Sequence, residues 1–146
     1  MAALTLLDAY PLVAYLTGEP AADEVKALLG EGEAVATSLN VAEAVDVAAR
    51  IYGAREDAVR GSIELLAAND LLTVSAPDLA IGFRAAQLRI AYYRRRERAL
   101  SLADCFLLAS AAPGDRVATS DPAVAEVARL EGIEVVPLPD SSGRRP

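Results

Sequence analysis

Short runs of apolar residues alternate along the chain with longer segments in which apolar positions recur at helical spacing. The short runs predict five β-strands, at residues 2–7, 34–37, 71–74, 117–119 and 133–136. The longer segments predict seven helices, at residues 11–17, 21–29, 41–51, 55–68, 78–98, 102–111 and 123–131. Strands that alternate with helices are typical of a parallel sheet covered on both faces. The pattern therefore predicts an α/β fold, a three-layer α/β/α sandwich around a central parallel sheet of about five strands.

The length and the apolar content favour one folded unit. A chain of 146 residues with 53% hydrophobic residues is of ordinary domain size and can build a core. We expect a single domain over residues 1–139 and a flexible, polar C-terminal tail over residues 140–146. The first residues lack the basic start of a signal peptide, and no apolar run approaches the roughly 20 residues that span a membrane. No membrane association is expected.

The chain contains no His and only one Cys. The missing His excludes a Ser-His-Asp triad, a Cys-His nucleophile pair and a His-ligated zinc site. Cys105 lies in the apolar run CFLLAS, which favours an inert core thiol, and a single Cys fits a reducing, cytoplasmic compartment. Any catalysis must therefore come from carboxylates, hydroxyls, Arg or a bound metal.

Four acidic residues fall close to the ends of predicted strands. Asp8 follows the first strand and Asp121 the fourth, while Glu43 and Asp104 lie in the first turns of two helices. In open α/β sheets, ligands bind outside the carboxyl ends of the strands. We therefore expect the four carboxyl groups to lie at the same edge of the sheet.

Each acid also has a purely structural interpretation. Glu43 stands three residues after Asn40, and Asp104 three residues after a serine, which is the spacing of a capping box. Asp121 before a proline fits a helix N-cap, and Asp8 fits one as well. Taken together, however, four clustered carboxylates repel each other, and a hard divalent cation relieves that repulsion. The set favours a Mg²⁺ or Mn²⁺ site suited to phosphodiester hydrolysis.

Four segments, taken in order, resemble a PIN-domain ribonuclease of the VapC toxin type. They are LLDAYPLVAYLTGEP, SLNVAEAV, LSLADCFLLASA and VATSDPAVAEVARLEGIEVVPL, and they extend from residue 4 to residue 138. The resemblance implies an α/β/α sandwich and a metal-dependent endoribonuclease, the toxin of a toxin–antitoxin pair. It also implies an RNA substrate, a VapB-like antitoxin that blocks the site, and a homodimer.

The resemblance assigns roles to individual residues. It makes catalytic metal ligands of the four acids Asp8, Glu43, Asp104 and Asp121, with Glu43 bound directly or through water. It places supporting polar side chains at Ser101, Thr119 and Ser120. One departure is the segment Asp8-Ala9-Tyr10, since many family members have Asn at its third position. The side-chain amide of that Asn is missing here.

Positive charge is concentrated in the predicted helix at residues 78–98. The net charge of −7 argues against general nucleic-acid binding, but Arg94, Arg95 and Arg96 form a local basic segment. They are candidates for contact with RNA phosphates. The alternative is a purely structural role, because cations near a helix C-terminus interact favourably with the helix dipole. The alternative for the whole chain is a catalytically silent PIN-like module that binds RNA or protein.

Overall fold

Five parallel strands form one sheet in the computed structural model, which describes residues 2–146. The strands are β1 (Thr5–Leu7), β2 (Ala34–Thr37), β3 (Thr73–Ser75), β4 (Arg116–Thr119) and β5 (Glu134–Pro137). Their order across the sheet is β3-β2-β1-β4-β5, with every neighbouring pair parallel. The chain steps outward from β1 to β3 and then returns to the other side of β1 at β4. The order therefore reverses between β1 and β4, where α/β sheets open a crevice for ligands.

Helices cover both faces of the sheet. In the part of the chain that the structure describes they are α1 (Ala9–Thr17), α2 (Ala22–Gly30), α3 (Ser38–Arg50), α4 (Glu56–Ala68), α5 (Leu79–Tyr92), α6 (Leu102–Ser110) and α7 (Pro122–Leu130). Successive side chains of a strand point to opposite faces. Leu7 accordingly joins a core with residues of α1 to α4, while Leu6 joins a second core with residues of α5 to α7. The predicted three-layer fold is confirmed.

The prediction of one long helix at residues 78–98 is wrong at its C-terminal end. α5 stops at Tyr92, and the basic segment forms a tight turn in which Arg94 N and Arg98 N each donate to the other residue's carbonyl, at 3.0 and 2.8 Å. Helices in proteins are stabilised mainly by an apolar face packed on a core. The run from Tyr93 to Arg98 offers no such face, and the Arg98 guanidinium instead donates to the Tyr92 carbonyl at 3.1 Å.

The tail at residues 140–146 folds back onto the domain. Arg145 donates to both carboxylate oxygens of Glu24, at 2.6 and 3.0 Å, and to the carbonyl of Pro137 at 2.8 Å. The domain boundary at residue 139 and the flexibility of the tail stay predictions. Within residues 2–146, no helix has both the length and the apolar character needed to cross a membrane.

Asp115 ties the start of β1 to the turn before β4. It is buried, and its two carboxylate oxygens accept from Leu4 N at 2.9 Å and Ala112 N at 2.8 Å. Because Asp115→Ala leaves both amides without an acceptor, we expect the free energy of unfolding to fall by about 2–4 kcal/mol. Urea denaturation measures the change, and the exposed Asp23→Ala is the control. A loss no larger than that of the control would show that the two bonds are dispensable.

Candidate active site

The four acids line one cavity at the point where the strand order reverses. The cavity has a volume of about 410 Å³, and Asp8, Glu43, Asp104 and Asp121 all contribute to its wall. Asp8 and Asp121 follow the ends of β1 and β4, Asp104 lies in the first turn of α6, and Glu43 lies in the second turn of α3. The expected common location at the carboxyl edge of the sheet is therefore what the structure shows.

Asp8 is held by hydrogen bonds to both of its carboxylate oxygens. Oδ1 accepts from Ala9 N at 2.8 Å, which caps α1, and Oδ2 accepts from the Thr119 hydroxyl at 2.7 Å. The same hydroxyl oxygen accepts from Asp121 N at 3.0 Å. Asp121 in turn caps α7, its Oδ1 accepting from Ala123 N at 2.8 Å. Thr119 thus connects two of the four acids through one side chain.

Asp104 is oriented by the capping box that its spacing predicts. Ser101 Oγ accepts from Asp104 N at 3.1 Å, and Asp104 Oδ2 accepts from Ser101 N at 2.7 Å. The carboxyl group is buried at the start of α6. Ser101 therefore contributes to the site by fixing the direction of Asp104.

The capping box predicted for Asn40 and Glu43 is wrong. α3 begins at Ser38, directly after β2 and three residues earlier than predicted, and the Thr37 hydroxyl is the N-cap that accepts from Asn40 N at 3.1 Å. Glu43 is therefore not needed as a cap. Its buried Oε2 has no hydrogen-bond partner among residues 2–146, and neither has Asn40 Nδ2. An unpaired buried carboxylate oxygen is costly, which points to a missing cationic or proton-donating partner.

Burial and mutual repulsion oppose the charged form of these acids. Burial raises the pKa of Asp8 to about 7, with a further increase from the Asp104 and Asp121 carboxylates that the hydrogen bonds from Thr119 and Ala9 only partly offset. Burial also raises the pKa of Asp104 and of Glu43, and the Asp104 charge adds to the shift at Glu43. The cavity thus concentrates negative charge that a cation would stabilise.

The donor set of the cavity matches a hard cation, although the acids are not closed around one point. Among the described residues, no three acidic, His or Cys side chains are arranged to hold a metal ion directly. Mg²⁺, however, usually keeps several waters and takes only one or two carboxylates from the protein. The all-oxygen set and the unpartnered Glu43 oxygen fit such partly hydrated binding.

The remaining predicted residues divide between the cavity and the surface. Ser120 lines the cavity, and so does Tyr10, whose contribution the spacing of polar residues did not signal. Arg94, Arg95 and Arg96 are exposed and do not contribute to the cavity wall.

Comparison with known proteins places this arrangement in a family. The model of the PIN domain matches residues 5–130, which includes all four acids. The chain belongs to the PIN-domain family. No curated protein matches the chain by sequence at a significant level.

Two solved structures share the PIN fold of this chain. One is VapC20 of Mycobacterium tuberculosis, a toxin that cleaves the sarcin–ricin loop, with a TM-score of 0.57 and 17% identity over 88% of this chain and 84% of that one. The other is FitAcB from Neisseria gonorrhoeae, with a TM-score of 0.59 and 21% identity over 90% of this chain and 96% of that one. The TM-scores show that the fold is shared, and at identities this low the matches show the fold alone.

The raised pKa of Asp8 predicts a pH-dependent stability of the metal-free protein. Between the ordinary pKa of 3.8 and about 7, the folded state keeps a proton on Asp8 that the unfolded state releases. The free energy of unfolding should therefore fall as the pH rises through this window, by on the order of 1 kcal/mol per pH unit. Asp8→Asn should flatten the dependence.

Urea denaturation in EDTA at several pH values between 4.5 and 8 tests this prediction. Asp23→Asn, an exposed carboxylate far from the cavity acids in sequence, serves as the matched control. Equal pH dependence in the wild type and in Asp8→Asn would show that Asp8 titrates as an ordinary carboxyl group.

Proposed function

We propose that the chain is a metal-dependent endoribonuclease and the toxin of a toxin–antitoxin pair. The observation that carries the proposal is the cavity in which four acids meet, with a Glu43 oxygen left unpaired. Membership of the PIN family and the shared fold of VapC20, a toxin that cleaves RNA of the sarcin–ricin loop, support the same reading. A VapB-like antitoxin and a homodimer belong to the proposal through the family resemblance.

Mg²⁺ or Mn²⁺ is the cofactor that the acids would hold. Asp8, Asp104 and Asp121 are the proposed principal ligands, and Glu43 binds directly or through water. When bound, such an ion polarises the RNA phosphate and lowers the pKa of a coordinated water. Oxygen ligands suit both ions, so the donor set does not distinguish between them.

The chain's own residues position these groups. The Thr119 hydroxyl holds Asp8 Oδ2 and the backbone of Asp121, and Ser101 holds Asp104. These bonds leave the carboxyl groups with little freedom to rotate, which lowers the cost of assembling the site. Glu43 Oε2 is free to accept a hydrogen bond from an attacking water.

RNA contact by Arg94, Arg95 and Arg96 is part of the proposal. The three side chains are exposed on the turn that leads into Ser101, the cap of the helix that carries Asp104. Phosphate contacts of this kind position a strand without reading its sequence. The turn would therefore guide RNA toward the cavity from the α5–α6 side.

Cleavage of single-stranded RNA with Mg²⁺ or Mn²⁺ tests the nuclease assignment. Asp8→Asn and Asp104→Asn should each lower the cleavage rate by about 100-fold or more, since each removes a charge from the reacting centre. EDTA should abolish cleavage, and the exposed Asp57→Asn should leave it unchanged. If the wild type and Asp8→Asn behave alike, the chain is not this nuclease, and a silent PIN-like binding module becomes the better assignment.

The salt dependence of RNA binding tests the basic turn. Replacing Arg94, Arg95 and Arg96 together by Ala should weaken binding and reduce the slope of log affinity against log salt by up to about 2, or about 0.7 for each phosphate lost. The charge-matched control replaces three exposed Arg residues elsewhere, Arg55, Arg60 and Arg129. An unchanged slope in the first variant would contradict RNA contact by this turn.

A further inference from the structure

A second cavity adjoins the one that holds the acids. It has a volume of about 250 Å³ and is lined by Ser120, Pro122, Asp140, Arg144 and Arg145. Ser120 and Pro122 also line the acid cavity. The two cavities therefore share a wall at the turn that carries Asp121. An RNA strand that lies across the four acids can reach into the second cavity.

Hydrogen bonds fix the path of the chain into this second cavity. Leu138 is fully buried, and its N–H donates to the Thr119 carbonyl at 2.9 Å, next to Ser120. Asp140 then closes a turn, with its N–H donating to the Arg144 carbonyl at 2.7 Å and its Oδ1 accepting from Arg144 N at 3.0 Å. Gly143 takes a φ of +86°, a conformation that glycine adopts without strain.

The two Arg residues of this cavity differ in what they bind. Arg145 donates to both carboxylate oxygens of Glu24 and to the Pro137 carbonyl, so its charge is already neutralised by an ion pair within the protein. The side chain of Arg144 donates only through Nε, to Ser142 Oγ at 3.2 Å. Among residues 2–146, its two terminal guanidinium nitrogens have no hydrogen-bond or ion-pair partner.

Asp140, the carboxylate of this cavity, is engaged by the turn itself. Its Oδ1 accepts from Ser142 N, Ser142 Oγ and Arg144 N, at 2.6 to 3.0 Å. These hydrogen bonds, the one from the Ser142 side chain above all, hold its pKa below the ordinary value. Asp140 thus stabilises the loop, and its charge attracts that of Arg144. It forms no hydrogen bond or ion pair with the outer nitrogens of Arg144, which are available for an external anion.

We propose that Arg144 binds an RNA phosphate next to the one on which the acids act. The guanidinium group matches the two oxygens of a phosphate with parallel N–H donors, and Ser120 can add a hydroxyl donor from the shared wall. The positive charge of Arg144 also offsets the repulsion between the carboxylates of the acid cavity and the RNA phosphates. The proposal rests on the proposed function for the identity of the ligand as RNA, and it makes Arg144 a substrate-binding residue.

Binding of a short fluorescein-labelled single-stranded RNA, followed by anisotropy in EDTA, tests the proposal without cleavage. Arg144→Ala should weaken binding about three- to tenfold and reduce the salt slope by about 0.7, the value of one phosphate contact on a single strand. Arg144→Lys keeps the charge but not the planar donors, so its affinity for the RNA should lie between those of the wild type and Arg144→Ala. Arg129→Ala, at the other end of α7, is the control of equal charge.

Two results would overturn the proposal. One is that Arg144→Ala has the same affinity and salt slope as Arg129→Ala. Arg144→Gln, which keeps a polar side chain without the charge, serves as a second variant and would give the same result. The other is a wild-type protein that does not bind the RNA in EDTA.

Steady-state cleavage with Mg²⁺ separates this inference from the nuclease assignment. Arg144→Ala should raise KM and leave kcat within about twofold, because Arg144 does not touch the reacting atoms, whereas Asp8→Asn should lower kcat. A wild type that binds RNA but does not cleave it would contradict the proposed nuclease while the anisotropy result still decides the role of Arg144.

Discussion

The site depends most on the two hydrogen bonds of the Thr119 hydroxyl. The hydroxyl donates to Asp8 Oδ2 at the end of β1 and accepts from Asp121 N at the end of β4, across the point where the strand order reverses. The Thr119 carbonyl also accepts from Leu138 N, which directs the chain after β5 toward the second cavity. One residue therefore sets the relative positions of two acids and of the segment that carries Arg144.

The same acids serve the fold and the site. Asp8 and Asp121 cap α1 and α7, and Asp104 completes the capping box of α6, so the three acids stabilise helices while lying in one cavity. Burial opposes the charged form of Asp8 and Asp104, and it raises the pKa of Asp8 to about 7. Helix capping keeps the carboxyl groups in place without a cation, and the remaining repulsion favours binding one. Glu43 differs, because Thr37 takes over the cap and leaves its Oε2 unpaired.

Sequence periodicity predicted the fold class and the meeting of the four acids, because buried parallel strands and helix starts have local signals. Three features had no such signal. The end of α5 at Tyr92 depends on which residues pack, and the cap at Thr37 depends on α3 starting directly after β2 without a loop. The position of Arg144 depends on a turn closed by Asp140 and on a bond between Leu138 and Thr119, which are distant in sequence. Long-range contacts of this kind are invisible to residue spacing.

The central claim, that the four acids form a cation site, is tested most directly by calorimetric titration with Mn²⁺ near pH 7 in two buffers of different ionisation enthalpy. Because Asp8 has a pKa of about 7 in the metal-free protein, binding should release protons and the measured heat should depend on the buffer. Asp8→Asn should bind more weakly and lose most of that dependence. Mn²⁺ heats of the wild type that match those of Asp8→Asn in both buffers would contradict the claim.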